Sequence, residues 1–403
     1  MARIFVVTLL LAFASASLAD DEAASTERFS QLESVQAYDR FIAKLDELRD
    51  TILADATNER EASEGMRFLL RIVAMAQDVG GDAYPPAPHF ARMDTKRRKV
   101  GGDNPDAEYD NVRWDGNLDY KITGNIGSVD SLSFTVLARG PSGRGKSLGY
   151  VDERTIGADA NGDFTLWLTG EDPEAPGHWI KTRPGDGSIL VRQYIGDRES
   201  EVLATYEIEV VGQERFDPLP PSNDAEVARG IRGASFALTG VGLLHRYVSP
   251  SLTDPPNVFL RRNSDDFGAD ISSPGNLYLI GTYAVAEDEA LIVEVEPLDV
   301  RFWNLAIESP WHESVDYAKR KGSRTHDDVT TDPDGMVRFL VAHARSDHPN
   351  YPETAGHSRG FMTFRWVGER DTAAPLPTVT RLPLAEAVAR AGALAAGETS
   401  SPR

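Results

Sequence analysis

The sequence predicts a mainly β protein with helices, an α+β fold in which one antiparallel β-sandwich or jelly-roll unit occurs twice in tandem, each copy led by a helix. Three observations point there. Short alternating apolar runs are separated by Gly, Pro and Asp turns. A turn, strand, loop and strand pattern recurs: Asn161-Gly162 leads into Phe164–Leu168, Trp179 and Thr182 lie in a loop, and Arg192 sits inside a strand. Farther on, Asp334-Gly335, Met336–Val341, Tyr351 with Thr354, and Arg365 repeat the order. The offset between copies drifts slowly, from 165 (Glu61 to Glu226) through 169 (Tyr109 to Tyr278) to 173 (Gly162 to Gly335), 172 (Thr182 to Thr354) and 173 (Arg192 to Arg365). Loop insertions in a true duplication produce such a drift, whereas chance matches scatter.

Residues 1–19 read as a secretory signal: Arg3 supplies the positive start, Ile4–Phe13 the apolar core and Ser17-Leu18-Ala19 the cleavage site. Cleavage leaves no stable membrane anchor and delivers the chain to the periplasm or the medium. Residues 20–60 form an N-terminal helical segment after an acidic start, with Phe29, Leu32, Val35, Phe41, Leu45 and Leu48 at helical spacing over Glu27–Leu53. Residues 61–217 hold the first helix, Glu61 to about Gln77, and the first sandwich. Pro218–Ser222 marks the seam, and residues 222–370 repeat the plan with a helix running from Glu226 through Leu244 until Pro250 ends it. Both helices carry Glu, then Gly four residues on, then Arg two further (Glu61, Gly65, Arg67; Glu226, Gly230, Arg232). Glycine inside a helix costs about 1 kcal/mol against alanine, so its repetition points to close packing against a neighbour. Residues 371–403 are a tail with a short helix over Pro383–Ala396, the proline in its first turn.

The 403 residues carry a net charge of −21, which repels nucleic acid and anionic membrane surfaces. There is no cysteine, which excludes disulfides, a thiol nucleophile, cysteine metal sites and a lipoprotein anchor. Gly140–Ser147 matches the phosphate-binding G-x-x-x-x-G-K-[ST] pattern, but Leu148–Thr155 is not helical, so a hairpin loop is expected. Asp159, Asn161 and Asp163 begin like a calcium loop, yet Phe164 stands where glycine is needed and Gly170 where the bidentate glutamate belongs. A hairpin turn is expected there too. His343, His348 and His357 lie close in sequence without metal-ligand spacing. No metal or other cofactor is predicted.

The candidate ligand-binding residues are Asn104, Asp106, Tyr109, Trp179, Thr182, Arg192, Tyr278, Tyr351, Thr354 and Arg365. Arginine engages carboxylates or sulfates and aromatic rings stack on sugars or rings, so the pattern fits a polar cleft for a small-molecule or glycan ligand. The competing reading is structural: aromatics plug sandwich ends and in-strand arginines pair with buried carboxylates. Tyr109 and His357 are candidates for acid–base catalysis if they converge, which would make the protein a lyase or hydrolase acting on a polysaccharide or aromatic ester. The sequence leaves the oligomeric state open.

The strings Trp311-His312-Glu313-Ser314-Val315-Asp316-Tyr317, Asp332-Pro333-Asp334-Gly335, Pro349–His357 and Phe364-Arg365-Trp366 resemble the bacterial family called domain of unknown function 1214. Tyr351 stands where that family usually has tryptophan, and Pro352 follows it. Asn104-x-Asp106-x-x-Tyr109 is similar to a string of the companion family, domain of unknown function 1254, with Ala107 replacing its threonine. The resemblance covers most of residues 61–368, implies a β-sandwich fold and brings no established activity.

Overall fold

A computed structural model describes residues 28–139, 145–213, 222–249, 252, 254–262, 276–315, 321–368 and 375–397. The expected signal segment, the acidic start, residues 140–144 of the glycine-rich motif, residues 218–221 of the expected seam and the end of the tail lie outside them.

Three helices bundle together: α1 (Glu33–Asp55), α2 (Glu59–Ala76) and α3 (Asp224–Gly242). Their shared core contains Leu48, Ile52, Phe68, Ile72, Leu238 and Trp311. Short polar side chains set the starts. Asn58 accepts the Glu61 N–H at 3.0 Å, and Asn223 and Glu226 form a reciprocal cap at 3.0 Å in each direction. The start of α1 is capped from outside, because the Asp224 carboxylate accepts the N–H groups of Glu33 and Ser34 at 2.9 and 3.0 Å. The repeated glycines lie at the predicted close approaches. A Cβ on Gly65 would overlap Ile52, and one on Gly230 would stand 2.5 Å from the Gly81 carbonyl oxygen. That carbonyl belongs to a π-helical turn, Gln77–Gly81, that extends α2. The helix expected to reach Leu244 unbroken stops at Leu243 (φ −107, ψ 3) and resumes as α4 (Leu244–Val248). Gly240 and Gly242 weaken its last turn.

The first sandwich is built from β1 (Ala91–Arg92), β2 (Ala107–Asp115), β3 (Tyr120–Asn125), β4 (Ser131–Arg139), β5 (Gly145–Asp152), β6 (Asp163–Thr169), β7 (His178–Lys181), β8 (Asp186–Tyr194) and β9 (Thr205–Val210). The second uses β10 (Val258–Arg262), β11 (Leu277–Ala284), β12 (Glu289–Val295), β13 (Phe302–Glu308), β14 (Ser323–Thr325), β15 (Val337–Ala342), β16 (Arg359–Val367) and β17 (Thr378–Pro383). The sheet orders correspond: β1-β2-β8-β4-β5 matches β10-β11-β16-β13-β14, and β6-β3-β9 of the four-stranded sheet β7-β6-β3-β9 matches β15-β12-β17. The missing strand of the last sheet survives as one parallel bridge, Ala342 to Glu353, at the place of the parallel β6–β7 pair. Register corresponds as well, since Tyr109 opposes Arg192 and Tyr278 opposes Arg365. The tandem duplication is therefore present in the fold.

Period-two alternation explains the two cores and what lies between them. On one face of β2 and β8, Val112, Trp114, Ile189 and Val191 fill the first core. Phe364 and Trp366 of β16 fill the second. The opposite faces of the two five-stranded sheets meet each other, where Ala107 and Tyr194 pack on Phe302 and Val367. A last helix, α5 (Leu384–Ala395), lays Ala387 and Ala391 against Ala290, Ile292, Leu340 and Tyr351. Pro383 stands just before α5 rather than inside its first turn.

Two turn expectations change in detail. The Asn161-Gly162 and Asp334-Gly335 turns do use positive φ (+87 and +83). They close locally, Gly162 N–H on the Asp159 carbonyl (3.0 Å) and Gly335 N–H on the Asp332 carbonyl (2.9 Å). For the first, the flanking strands β5 and β6 lie in different sheets, so it carries the chain between sheets and is not a hairpin. The Asp159 carboxylate is spent on the N–H groups of Asn161 and Asp163. The glycine-rich motif ends in β5, which pairs with β4 as a hairpin, so its lysine, Lys146, lies on a strand and is followed by strand, not by a helix.

Candidate functional site

Six of the predicted residues converge where the two sandwiches meet: Asn104, Asp106, Tyr109, Arg192, Tyr278 and Arg365. The alternation that sends Phe364 and Trp366 into the second core turns Arg365 outward, between the units, and the same holds for Arg192 in the first. Arg365 is 4% exposed. Its Nη2 donates to Glu308 Oε1 (3.1 Å) and to the carbonyls of Gly102 (3.2 Å) and Asp103 (3.3 Å). Its Nη1 is buried without a hydrogen-bond partner. Arg192 donates to Thr135 Oγ1 at 3.2 Å.

Tyr109 and Tyr278 are half-buried where the two sheets meet. Burial raises the Tyr109 phenol above its ordinary pKa; Arg365 and Arg192 oppose the rise, and Tyr278 and Asp94 add to it. The same groups thus share one electrostatic environment. Tyr194, fully buried beside them, is likewise raised by burial and then by Tyr278 and Tyr109. Asp94 lies within electrostatic range of Tyr109. Burial, with Asp103 nearby, pushes its carboxyl up to about 7, and its Oδ1 lacks a hydrogen-bond partner.

Asn104 and Asp106 act as the joint between units. The Asn304 side-chain amide of β13 donates to Asn104 Oδ1 (2.6 Å) and Asp106 Oδ2 (2.7 Å), and Ser323 donates to Asp106 Oδ1 (3.2 Å). Burial raises the Asp106 carboxyl.

The other predicted residues lie elsewhere. Trp179 Nε1 donates to the Thr169 carbonyl (3.4 Å), and the Tyr351 hydroxyl to the Ala342 carbonyl (3.3 Å). These carbonyls occupy equivalent positions in the two copies, at the ends of β6 and β15. Neither aromatic plugs a sandwich end: Trp179 lies on strand β7 rather than in a loop, on the side away from the core-facing Ile180, and Tyr351 packs with Ala290, Ile292 and Leu340 on the outer face of its sheet, under α5. Thr182 and Thr354 are buried beside them, with Thr354 Oγ1 3.0 Å from His343 Nδ1. His357 does not meet Tyr109. Its Nε2 is 2.6 Å from Glu64 Oε2 on α2. It precedes β16, whose run from Arg359 to Arg365 spans about 20 Å at a strand's rise per residue. Burial opposes the Glu64 charge, but His357 and Arg60 hold its carboxyl at about 2.

One pair escaped the sequence reading. His312, inside the Trp311–Tyr317 string, bonds through Nδ1 to the fully buried Glu308, the partner of Arg365. Burial pushes Glu308 up, but His312 and Arg365 outweigh it and hold the carboxyl below its ordinary range. His312 adopts φ +60, and its carbonyl accepts the Gly102 N–H at 2.7 Å. The i,i+4 spacing of Glu308 and His312 was visible, but a strand end and a turn hold it, not a helix. Ser314 donates to Asp103, and Lys99 to Ser314 (2.8 Å), so the 99–106 loop is fastened to the 311–315 loop. A separate, shallow surface depression lined by Asp78, Tyr84, His89 and Arg113 among others contains none of the predicted residues.

An uncharacterised protein from Burkholderia cenocepacia is similar to 89% of this chain over 99% of its own, at 28% identity and a TM-score of 0.80. A protein from Vibrio parahaemolyticus is similar over 79% of this chain and 98% of its own, at 12% identity and a TM-score of 0.47. The Burkholderia likeness spans both units and supports the tandem β fold. No family model and no curated protein matches the sequence. Among the described residues, no helix is long and apolar enough to cross a membrane.

Proposed function

We propose that this chain is an exported, periplasmic or secreted, binding protein of the domain of unknown function 1214 type, and that it holds a small organic acid between its two β units. The observation that carries the reading is the Arg365 Nη1 donor, buried and unpartnered in the cluster that holds the half-buried Tyr109 and Tyr278. A buried donor without a partner costs about 1–3 kcal/mol, and a ligand carboxylate would relieve that cost. Arg192 adds positive charge, the tyrosines offer ring faces, and an Asp94 carboxyl that stays partly protonated near pH 7 can donate to a ligand oxygen. A carboxylate beside an aromatic or other flat ring fits this set better than a neutral glycan.

The test is titration calorimetry of the mature chain with 4-hydroxybenzoate as probe. Saturable binding that weakens about tenfold in Tyr278→Ala and in Arg365→Lys, each lacking one contact, is the expected result. No binding, or binding indifferent to both substitutions, overturns the reading.

A second reading, a secreted lyase or hydrolase, has one observation in its favour: Glu308 orients the imidazole of His312 within the Arg365 network. It puts the acid–base histidine at position 312, not 357. Turnover of an aromatic ester that His312→Gln abolishes and His357→Gln spares would support it.

A further inference from the structure

We infer that Asp130, His326 and Asp327 form a binding site for a divalent first-row transition metal, of which zinc is the natural probe, at the seam between the two β units. The inference is independent of the organic-acid site. Asp130 comes from the first unit, just before β4, and His326 and Asp327 from the second, just after β14. One ligand atom of each lies within 4.8 Å of the other two. His326 Nε2 is 3.6 Å from Asp130 Oδ2 and 3.6 Å from Asp327 Oδ1. Those gaps are too long for hydrogen bonds. They are close to the separation of about 3.4 Å between neighbouring ligands of a tetrahedral zinc with bonds of about 2.1 Å.

Asp130 Oδ2 is buried, and no side-chain donor among the described residues lies within hydrogen-bond distance of it, which leaves a lone pair for a ligand at that atom. Glu201 stands beside it, its carboxylate accepting the Asp130 N–H at 3.2 Å, so a third carboxylate adds negative charge. The backbone opposite leaves room for the three groups to converge. A Cβ on Gly196 would overlap Asp130 Oδ2 and Asp327 Oδ2 and stand 3.0 Å from His326 Cε1. The frame is rigid: Thr325 Oγ1 donates to the Gly196 carbonyl (2.7 Å), and the His326 N–H to the Trp303 carbonyl (3.0 Å). The imidazole rests edge-on against Phe302, ring centroids 5.8 Å apart. Asp327 is exposed and gives an ion a way in from solvent. One imidazole with two carboxylates selects against magnesium and calcium, which take oxygen ligands throughout. A metal here would clamp the two units together.

Titration calorimetry of the EDTA-treated, buffer-exchanged mature chain with zinc chloride tests this. The expected result is one site with Kd of about 10 µM or tighter, weakened about tenfold or more in His326→Gln and in Asp130→Asn. His348→Gln, which changes a histidine remote from the seam, should leave it unaltered. Circular dichroism confirms that each variant is folded. Gly196→Ala should abolish the site while every ligand remains. Zinc affinity weaker than about 1 mM, or affinity unchanged in both ligand variants, overturns the inference. Calcium binding as tightly as zinc and insensitive to His326→Gln also overturns it.

Discussion

Replacing Gly65 by alanine sets two physical effects against each other. Alanine is the better helix former by about 1 kcal/mol, so propensity alone makes Gly65→Ala stabilising. Packing opposes this. The new methyl would overlap Ile52 Cγ2 and stand 2.9 Å from Trp311 Cζ2 and 3.0 Å from Trp311 Cε2. Ile52 and Trp311 are 0% and 1% exposed, so neither can swing into solvent. Overpacking a filled core costs about 1–3 kcal/mol, and two immobile neighbours put this site at the upper end. The net expectation is a loss of about 2 kcal/mol, taken as overpacking near 3 less a propensity gain near 1. Urea unfolding measures it directly. Gly240→Ala in α3 is the matched control: nothing lies within 4 Å of its Cβ position, so propensity acts alone and stability rises by up to about 1 kcal/mol. A Gly65→Ala chain as stable as the Gly240→Ala chain would refute the close approach of α1, α2 and the Trp311 loop. Because that loop continues into His312 and Glu313, Gly65→Ala should also weaken any ligand held at Arg365.

Asp94 has its carboxyl raised to about 7 by burial, so the folded chain holds that proton more tightly than the unfolded one. Its contribution becomes unfavourable as pH rises from the ordinary carboxylate range through 7; Asp94→Asn should therefore stabilise the protein by about 1–3 kcal/mol at pH 8 and by little near pH 4, read from urea midpoints. Glu64 runs the other way: held at about 2, it contributes stability that is complete above its ordinary value near 4.5 and is lost as pH falls towards 2. His357→Gln should cost about 1–3 kcal/mol at pH 6 and make acid unfolding begin at higher pH, the difference vanishing below pH 2. Trp179→Phe and Tyr351→Phe each remove a donor to an equivalent carbonyl; each should cost about 1 kcal/mol and leave ligand affinity unchanged by calorimetry.

Much of the fold was legible because it is written twice. The slow drift in offset located the copies, and the repeated glycines marked where helices touch. Period-two alternation around Arg192 and Arg365 placed both guanidinium groups off the cores. It could not say what they face, since that depends on how the two sandwiches dock. Asn104, Asp106, Tyr109 and Tyr278 gather there for the same reason. Trp179, Thr182, Tyr351 and Thr354 repeat just as faithfully, but the carbonyls of Thr169 and Ala342 hold the aromatics on the outer faces of the smaller sheets, away from the seam. In sequence, His357 is a candidate acid–base partner for Tyr109, yet α2 supplies its actual partner, Glu64, from nearly three hundred residues away. Asp94, Glu308 and His312 sit in loops and at a strand end, where no periodicity announces a role. The Asp130, His326 and Asp327 cluster joins two distant segments, so no ligand spacing in the chain could reveal it.

The crystal structure of the mature chain soaked with 4-hydroxybenzoate tests the organic-acid site most directly. Ligand density with its carboxylate on Arg365 Nη1 and its ring between Tyr109 and Tyr278 is the predicted result. A ligand that binds in solution but lies elsewhere in the crystal, or a water-filled gap at saturating probe, would contradict it.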